Sequence, residues 1–138
     1  MTLRPETRAR ARALQLLYAW EIDGRSPVEE LMPGIARITG SPSGILVEAV
    51  TLAAGVVERR AEIDEAFSRA ASNWRIERLA LVDRNILRLA VFELLSGSVP
   101  PKVVIDEALY LAHRFGGVQS ASFVNGVLDT VARTLGRL

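Results

Sequence analysis

The sequence predicts an all-α protein, a bundle of six to seven helices joined by short connections. Apolar residues recur at the three- and four-residue spacing of an amphipathic helix in every long segment. No convincing run alternates apolar and polar residues as a half-buried strand does. Proline and glycine stand at the segment boundaries, where they begin and end helices.

The first two helices are marked by proline and serine. The first is predicted from Pro5 to about Ile22, with a stripe of Ala9, Ala13, Leu16, Leu17 and Trp20 facing inward. The run Ser26-Pro27-Val28-Glu29 is typical of a capping box with proline at the first helical position. We therefore expect a second, short helix that ends before a loop at residues 39–44.

In the middle of the chain, an apolar segment is followed by a charged one. Residues 45–57 are apolar on nearly all sides, which predicts a buried helix. Charge returns at residues 58–60, where that helix either bends or is followed by another that continues to about residue 71. The 138 residues suit one domain, with an N-terminal half at about 1–72 and a C-terminal half at about 73–138.

The C-terminal half contains three further helices. Asp83 is placed to cap a helix that is apolar over residues 86–95 and ends at Ser96-Gly97-Ser98. Pro100-Pro101 opens the next helix, and Gly116-Gly117 ends it. The last helix is predicted to start near Ser120 or Ser122.

Composition excludes several classes of protein. Apolar residues make up 49% of the chain and charged residues 24%, which favours a packed core over disorder. The absence of cysteine excludes disulfides, thiolate metal sites and cysteine nucleophiles, and it fits a reducing cytosol. The apolar stretches are too short to span a bilayer, and the N-terminus is charged where a signal peptide is apolar. We therefore expect a cytoplasmic protein with no membrane partner.

No arrangement of residues predicts catalysis. His113 is the only histidine, so a serine–histidine–aspartate triad would depend on it alone. The adjacent acids Asp64-Glu65 and Asp106-Glu107 point to different sides of a helix and make poor acid/base pairs. No cluster has metal-ligand spacing, and no glycine loop is placed to hold a phosphate. We expect no enzymatic activity, no catalytic residues, no metal and no cofactor.

The first helix contains the strongest signal for binding. Net charge is only +1, but four arginines lie in the first twelve residues: Arg4, Arg8, Arg10 and Arg12. At 100° per residue, Arg4, Arg8 and Arg12 form one line, which Gln15 and, further round, Tyr18 flank. Arg10 lies on the other side of the apolar stripe. Such a row offers contacts to phosphates and bases, and the alternative is an ordinary solvated helix face.

Phe123 is the second candidate, one turn into the last helix. It stands in Phe123-Val124-Asn125-Gly126, where helical periodicity continues through the Asn-Gly pair. The residue is either part of the core or an exposed platform for an unpaired base.

Five motifs follow one another along the chain: Arg8-Ala-Arg through Leu17-Tyr18-Ala-Trp20, Ile86-Leu87-Arg88-Leu-Ala, Phe92-Glu93-Leu, Pro101-Lys102-Val-Val-Ile-Asp-Glu107-Ala and Phe123-Val-Asn-Gly-Val-Leu-Asp129. In this order and spacing, they resemble the NusB family of transcription antitermination factors. The resemblance covers nearly the whole chain, although residues 24–72 match by pattern only.

The resemblance implies two helical subdomains and no enzymatic activity. It implies binding to boxA-type single-stranded RNA of ribosomal RNA leaders, together with the ribosomal protein NusE, in the RNA polymerase antitermination complex. A homodimer remains open. The RNA-binding residues it implies are Arg4, Arg8, Arg10, Arg12, Gln15, Tyr18, Gln119 and Phe123. The residues it implies for the protein partner are Asp83, Arg84, Pro101 and Lys102.

Two alternatives of other classes stay open at this point. One is a helical protein-interaction module that binds no RNA. The other is the N-terminal RNA-binding domain of a ribosomal RNA cytosine methyltransferase. The sequence also departs from the family pattern, since His113 and Ser122 stand where lysine is frequent.

Overall fold

The computed structural model describes residues 3–138, and all the regular structure in this range is helical. The prediction of an all-α protein is confirmed. A short 3-10 helix at Ile76–Arg78 precedes α5. The seven α-helices of the described range are α1 (Pro5–Ile22), α2 (Val28–Thr39), α3 (Ser43–Glu58), α4 (Arg60–Ala70), α5 (Leu81–Ser96), α6 (Pro101–Phe115) and α7 (Ser120–Thr134).

The first compact unit ends at Glu58 and contains α1, α2 and α3. Each of these helices packs against the other two. The inward stripe predicted for α1 is confirmed, because all five of its residues are buried. The buried residues of α3 are Ile45, Leu46, Ala49, Ala53 and Val56.

The second unit runs from Arg59 to Leu138. Within it, α4 packs against α5 and α7, and α5, α6 and α7 pack against one another. The largest buried side chains include Phe67, Ile86, Leu87, Leu111 and Leu128. The boundary between the two units lies between Glu58 and Arg59, earlier than the predicted boundary at about residue 72. The reason is that the apolar face of α4 packs within the second unit.

Two predicted helix caps are wrong. Pro27, not Ser26, is the residue before the first turn of α2, and no side-chain hydrogen bond caps that helix. Ser26 is therefore one residue too early for a capping box, in which serine must itself be the capping residue. Ala80 precedes α5, and Asp83 lies inside its first turn. There the carboxylate still lies at the positive end of the helix dipole.

The expectation for residues 45–57 is also only partly met. The segment is helical, but Val47 in α3 is mostly exposed, and Glu48 and Thr51 are exposed as well. One face of α3 therefore meets solvent despite its apolar sequence. Of the two alternatives at residues 58–60, the structure has the second, because α3 ends at Glu58 and α4 begins at Arg60.

Two carboxylates of α4, those of Glu62 and Asp64, form bidentate ion pairs with arginine. Arg59 donates to both carboxylate oxygens of Glu62, at 3.0 and 2.8 Å, and these hydrogen bonds lower the pKa of the exposed Glu62 carboxyl. Arg88 of α5 donates to both carboxylate oxygens of Asp64, at 2.9 and 3.0 Å. The Arg88 side chain is only 6% exposed, so this bidentate pair ties α4 to α5 away from most of the solvent.

Candidate nucleic-acid interface

The arginine row predicted on the first helix lies along α1. Arg4 is the exposed residue that precedes the helix, and its carbonyl accepts a hydrogen bond from the Arg8 amide at 3.1 Å. Arg8 and Arg12 follow at four-residue intervals, and both are half-buried. The side chains of one helix face therefore begin with three arginines, as the periodicity predicts.

The guanidinium of Arg12 donates hydrogen bonds to Ser41 and to Gln15. Its Nε donates to the Ser41 hydroxyl at 2.9 Å, and its Nη1 donates to the Gln15 side-chain oxygen at 2.6 Å. The Ser41 hydroxyl also lies 2.9 Å from that of Thr39, which in turn donates to the Ile35 carbonyl. The link between α2 and α3 therefore orients a cation of α1, an interaction that periodicity alone does not reveal.

A groove of about 610 Å³ lies beside Arg8, between the start of α1 and the start of α3. Besides Arg8, the residues that line it are Pro5, Glu6, Pro42, Gly44, Ile45 and Glu48. Two carboxylates face the same groove as Arg8, so its charge is mixed. A phosphate beside Arg8 would therefore also meet two carboxylates.

The remaining predicted residues of α1 differ in accessibility. Arg10 is buried, with 8% of its surface exposed, whereas Tyr18 is exposed. The difference follows from helix geometry, because residue 10 is turned 200° from residue 8, toward the packed side of α1. Little of the Arg10 surface is therefore available to a ligand in this conformation.

Phe123 in α7 is neither fully buried nor fully exposed, and its ring packs edge-to-face against Trp74. The ring centroids are 4.9 Å apart and the ring planes meet at 72°. Gln119 precedes α7 and is exposed, and its carbonyl accepts the Phe123 amide at 3.1 Å. Trp74 was not predicted as a site residue; the only signal was a large aromatic side chain in a polar connection.

The four residues predicted for a protein partner lie in two places. Asp83 and Arg84 are in the first turn of α5, and Pro101 and Lys102 are in the first turn of α6. Because α6 starts shortly after α5 ends, the two pairs lie toward opposite ends of α5, about 20 Å apart along its axis. The structure does not bring them together.

Asp83 and Arg84 are only partly accessible to solvent. Asp83 is half-buried, and its Oδ1 is buried without a hydrogen-bond partner. Arg84 is also half-buried, and its Nη1 donates to the Glu77 carbonyl at 2.9 Å. A buried acceptor without a donor destabilises the chain by about 1–3 kcal/mol, which a donor from another molecule would relieve.

Metal sites and membrane-spanning helices are absent from residues 3–138. In this range, no group of three or more histidine, cysteine, aspartate or glutamate side chains could hold a metal ion. None of the helices in the same range has the length and apolar character needed to cross a membrane.

Comparison with known proteins agrees with the fold and with the motifs. A family model described as the NusB family matches residues 7–133. The transcription antitermination protein NusB of Anaeromyxobacter dehalogenans is 46% identical, over 94% of this chain and 91% of that protein.

Two solved structures are similar over nearly the whole chain. NusB of T. maritima has a TM-score of 0.83 and 34% identity, covering 96% of this chain and 93% of that one. NusB in a complex of the antitermination factors NusB and NusE with double-stranded RNA has a TM-score of 0.84 and 28% identity, covering 96% and 99%. With a matching family model, a close relative and the same fold, the chain belongs to the NusB family.

Proposed function

We propose that this protein is a non-catalytic, RNA-binding transcription antitermination factor of the cytoplasm. It binds boxA-type single-stranded RNA of ribosomal RNA leaders together with the ribosomal protein NusE, as part of the RNA polymerase antitermination complex. The observation that carries the proposal is the arginine row of α1, with the Arg12 guanidinium held by Ser41 and Gln15.

The row suits a phosphate backbone for two reasons. Between Glu6 and Glu21 the chain has no acidic residue, so no carboxylate of α1 itself opposes a phosphate beside Arg12. Guanidinium groups form paired hydrogen bonds with phosphates, and an oriented guanidinium loses less freedom on binding. Exposed Arg4 and Tyr18 extend this surface toward the two ends of α1.

The remaining predicted RNA contacts are proposed with different roles. Gln119 and Phe123 supply an amide and an aromatic ring at the start of α7, suited to a base rather than to a phosphate. Arg10 stays in the proposed set because of the family resemblance. Its burial restricts it to the edge of the contact surface unless α1 adjusts on binding.

The partner surface is proposed on the second unit. The orphaned Oδ1 of Asp83 supports a contact at the start of α5, because a donor from NusE would complete its hydrogen bonding. Arg84 lies beside it, and Pro101 with Lys102 forms a second patch at the start of α6. The solved complex of a NusB relative with NusE and RNA supports a joint surface of this kind.

Titration of labelled RNA over a salt series tests the RNA step. Anisotropy should report salt-sensitive binding, with the slope of log K against log salt falling by about 0.7 for each phosphate contact removed by Arg8→Ala or Arg12→Ala. Arg133→Ala is the matched control, because Arg133 is exposed in the last turn of α7 and paired with Asp129. Single-stranded and duplex forms of the same sequence are compared, because the solved relative is bound to double-stranded RNA.

Three results would contradict the RNA proposal. One is binding that does not depend on salt, and another is equal effects of Arg12→Ala and Arg133→Ala. The third is stronger binding to the duplex, which would replace the single-stranded target with a double-stranded one.

The NusE step has its own test. RNA affinity should rise with saturating NusE, and RNA should tighten the protein pair by the same factor, because coupling between two ligands is reciprocal. Asp83→Lys should weaken the protein pair more than it weakens RNA binding by the chain alone. RNA affinity that is unchanged by saturating NusE, with both proteins folded, would contradict the proposed joint binding of RNA by the two proteins.

A further inference from the structure

The aromatic pair of the second unit has a feature that the proposed RNA contacts do not explain. Trp74 lies in the connection between α4 and the 3-10 helix, and 50% of its surface is exposed. It packs against Phe123 at a centroid distance of 4.9 Å with the ring planes at 72°. Two nearly perpendicular rings form a corner, and half of the tryptophan residue's surface remains open to solvent.

The sequence on either side of each ring favours an anionic ligand. The two rings come from chain segments that lack acidic residues, between Glu65 and Glu77 and between Glu107 and Asp129. The whole chain has 16 acidic residues in 138, so 21 consecutive residues without one is a marked depletion. The same segments contain Arg75 next to the tryptophan and Arg114 at the end of α6.

We propose that Trp74 is a base-stacking residue, and that it forms with Phe123 a two-ring corner for one unpaired RNA base. A base that lies on one ring meets the other ring with its edge, so the corner fixes both position and tilt. Stacking tolerates any base, because every base has a π face, and no acid of these two segments opposes the flanking phosphates. This inference rests on the proposed RNA binding, and it adds a contact residue that the sequence motifs do not include.

A structural role is the competing explanation. On that account, Trp74 only covers the Phe123 ring, and its exposed half binds nothing. The two accounts differ in what RNA does to the tryptophan and in whether truncation affects affinity or only stability.

Tryptophan fluorescence separates them directly. The chain has two tryptophans, and Trp20 is only 5% exposed, so a Trp20→Phe background leaves Trp74 as the only tryptophan, which is excited selectively over tyrosine at the red edge of its absorption. Titration with single-stranded boxA-type RNA should quench this emission, with the same midpoint as the anisotropy of the labelled RNA. Anisotropy that saturates while Trp74 emission stays constant would overturn the inference and leave the proposed function intact. Absence of any RNA binding by the wild-type chain would overturn both.

Substitution gives a second measurement. Trp74→Ala should weaken RNA binding by about five- to 150-fold, and Trp74→Phe by much less, because phenylalanine keeps a stacking face. Leu138→Ala is the matched control, since Leu138 is an exposed apolar residue of the same unit, 45% exposed and beyond the opposite end of α7. Urea unfolding of each variant reports the folded fraction. A Trp74→Ala variant that is less stable but binds RNA normally when folded would overturn the inference.

The stacked base can be located with RNAs that each lack one base. At the position that stacks in the corner, removal of the base and Trp74→Ala should each weaken binding, and together they should weaken it no further. Additive losses at every position would place the tryptophan outside the contact with the bases and overturn the proposal.

Discussion

Ser41 offers a sharp test of how the arginine row functions, because it is expected to act through Arg12 rather than on RNA itself. Its hydroxyl accepts a hydrogen bond from the Arg12 Nε at 2.9 Å, while Gln15 accepts one from Nη1 at 2.6 Å. Ser41→Ala removes the first restraint and keeps the charge. The guanidinium then regains rotational freedom that RNA must remove on binding.

The expected magnitude follows from that freedom. Ordering one long side chain opposes binding by about 0.5–1.5 kcal/mol, which corresponds to a loss of affinity of about two- to twelvefold. The number of phosphates neutralised does not change, so the slope of log K against log salt should stay the same. Arg12→Ala should instead lower affinity and reduce the slope by about 0.7, the contribution of one phosphate on a single strand.

Anisotropy titrations of the single and double variants over a salt series provide the measurement. Once Arg12 is absent, Ser41 has no guanidinium to orient, so the double variant should bind like Arg12→Ala alone. Ser43→Ala is the matched control, because Ser43 is an exposed serine two residues further on, at the start of α3. A slope that falls in Ser41→Ala, or a loss that adds to that of Arg12→Ala, would refute the orienting role.

Three further predictions concern stability and the buried residues. Asp64→Asn should destabilise the protein by about 1–3 kcal/mol in urea unfolding, because a neutral amide replaces the carboxylate whose two oxygens accept hydrogen bonds from the 6%-exposed Arg88 side chain; a change below about 0.5 kcal/mol would contradict this. Gly116→Ala should lower stability by about 1–3 kcal/mol in thermal unfolding, since the added methyl carbon would lie 2.5 Å from the Ser120 hydroxyl oxygen; an unchanged midpoint would show that the connection moves easily. Arg10→Met should reduce the slope of log K against log salt less than Arg8→Ala or Arg12→Ala does, because Arg10 is buried. An equal reduction would mean that α1 exposes Arg10 when RNA binds.

The helices were predictable from sequence to the extent that local signals determine them. Pro5 and Pro101 begin helices because the missing amide of proline is not needed in a first turn. Gly97 ends α5 at a φ of 74°, a conformation that other residues adopt with strain. The caps at Ser26 and Asp83 were wrong, because the capping residue is the one whose backbone is extended before the first turn, and that residue is Pro27 in α2 and Ala80 in α5.

The candidate site was predictable only in part, for a related reason. Helical periodicity groups Arg4, Arg8 and Arg12 on one face, and the structure has them there. The Ser41 contact and the Trp74–Phe123 pair join residues 29 and 49 positions apart in sequence, which no helical spacing indicates. Tertiary contacts of this kind need the packed helices before they can be recognised.

A net charge of +1 is compatible with RNA binding because of where the acidic residues are. Salt screens charges beyond about 8 Å at physiological ionic strength, so a phosphate responds to the local surface rather than to the whole chain. Residues 7–20, 66–76 and 108–128 contain no acid, and they include the α1 arginines and both rings of the aromatic corner. The 16 acids lie in the rest of the sequence, and some of them are paired with arginine, as Glu65 is with Arg69 and Asp129 with Arg133. Introducing one acid next to Phe123, as in Ser122→Glu, should therefore weaken RNA binding, whereas Thr134→Glu, at the other end of α7, should have little effect at the same net charge.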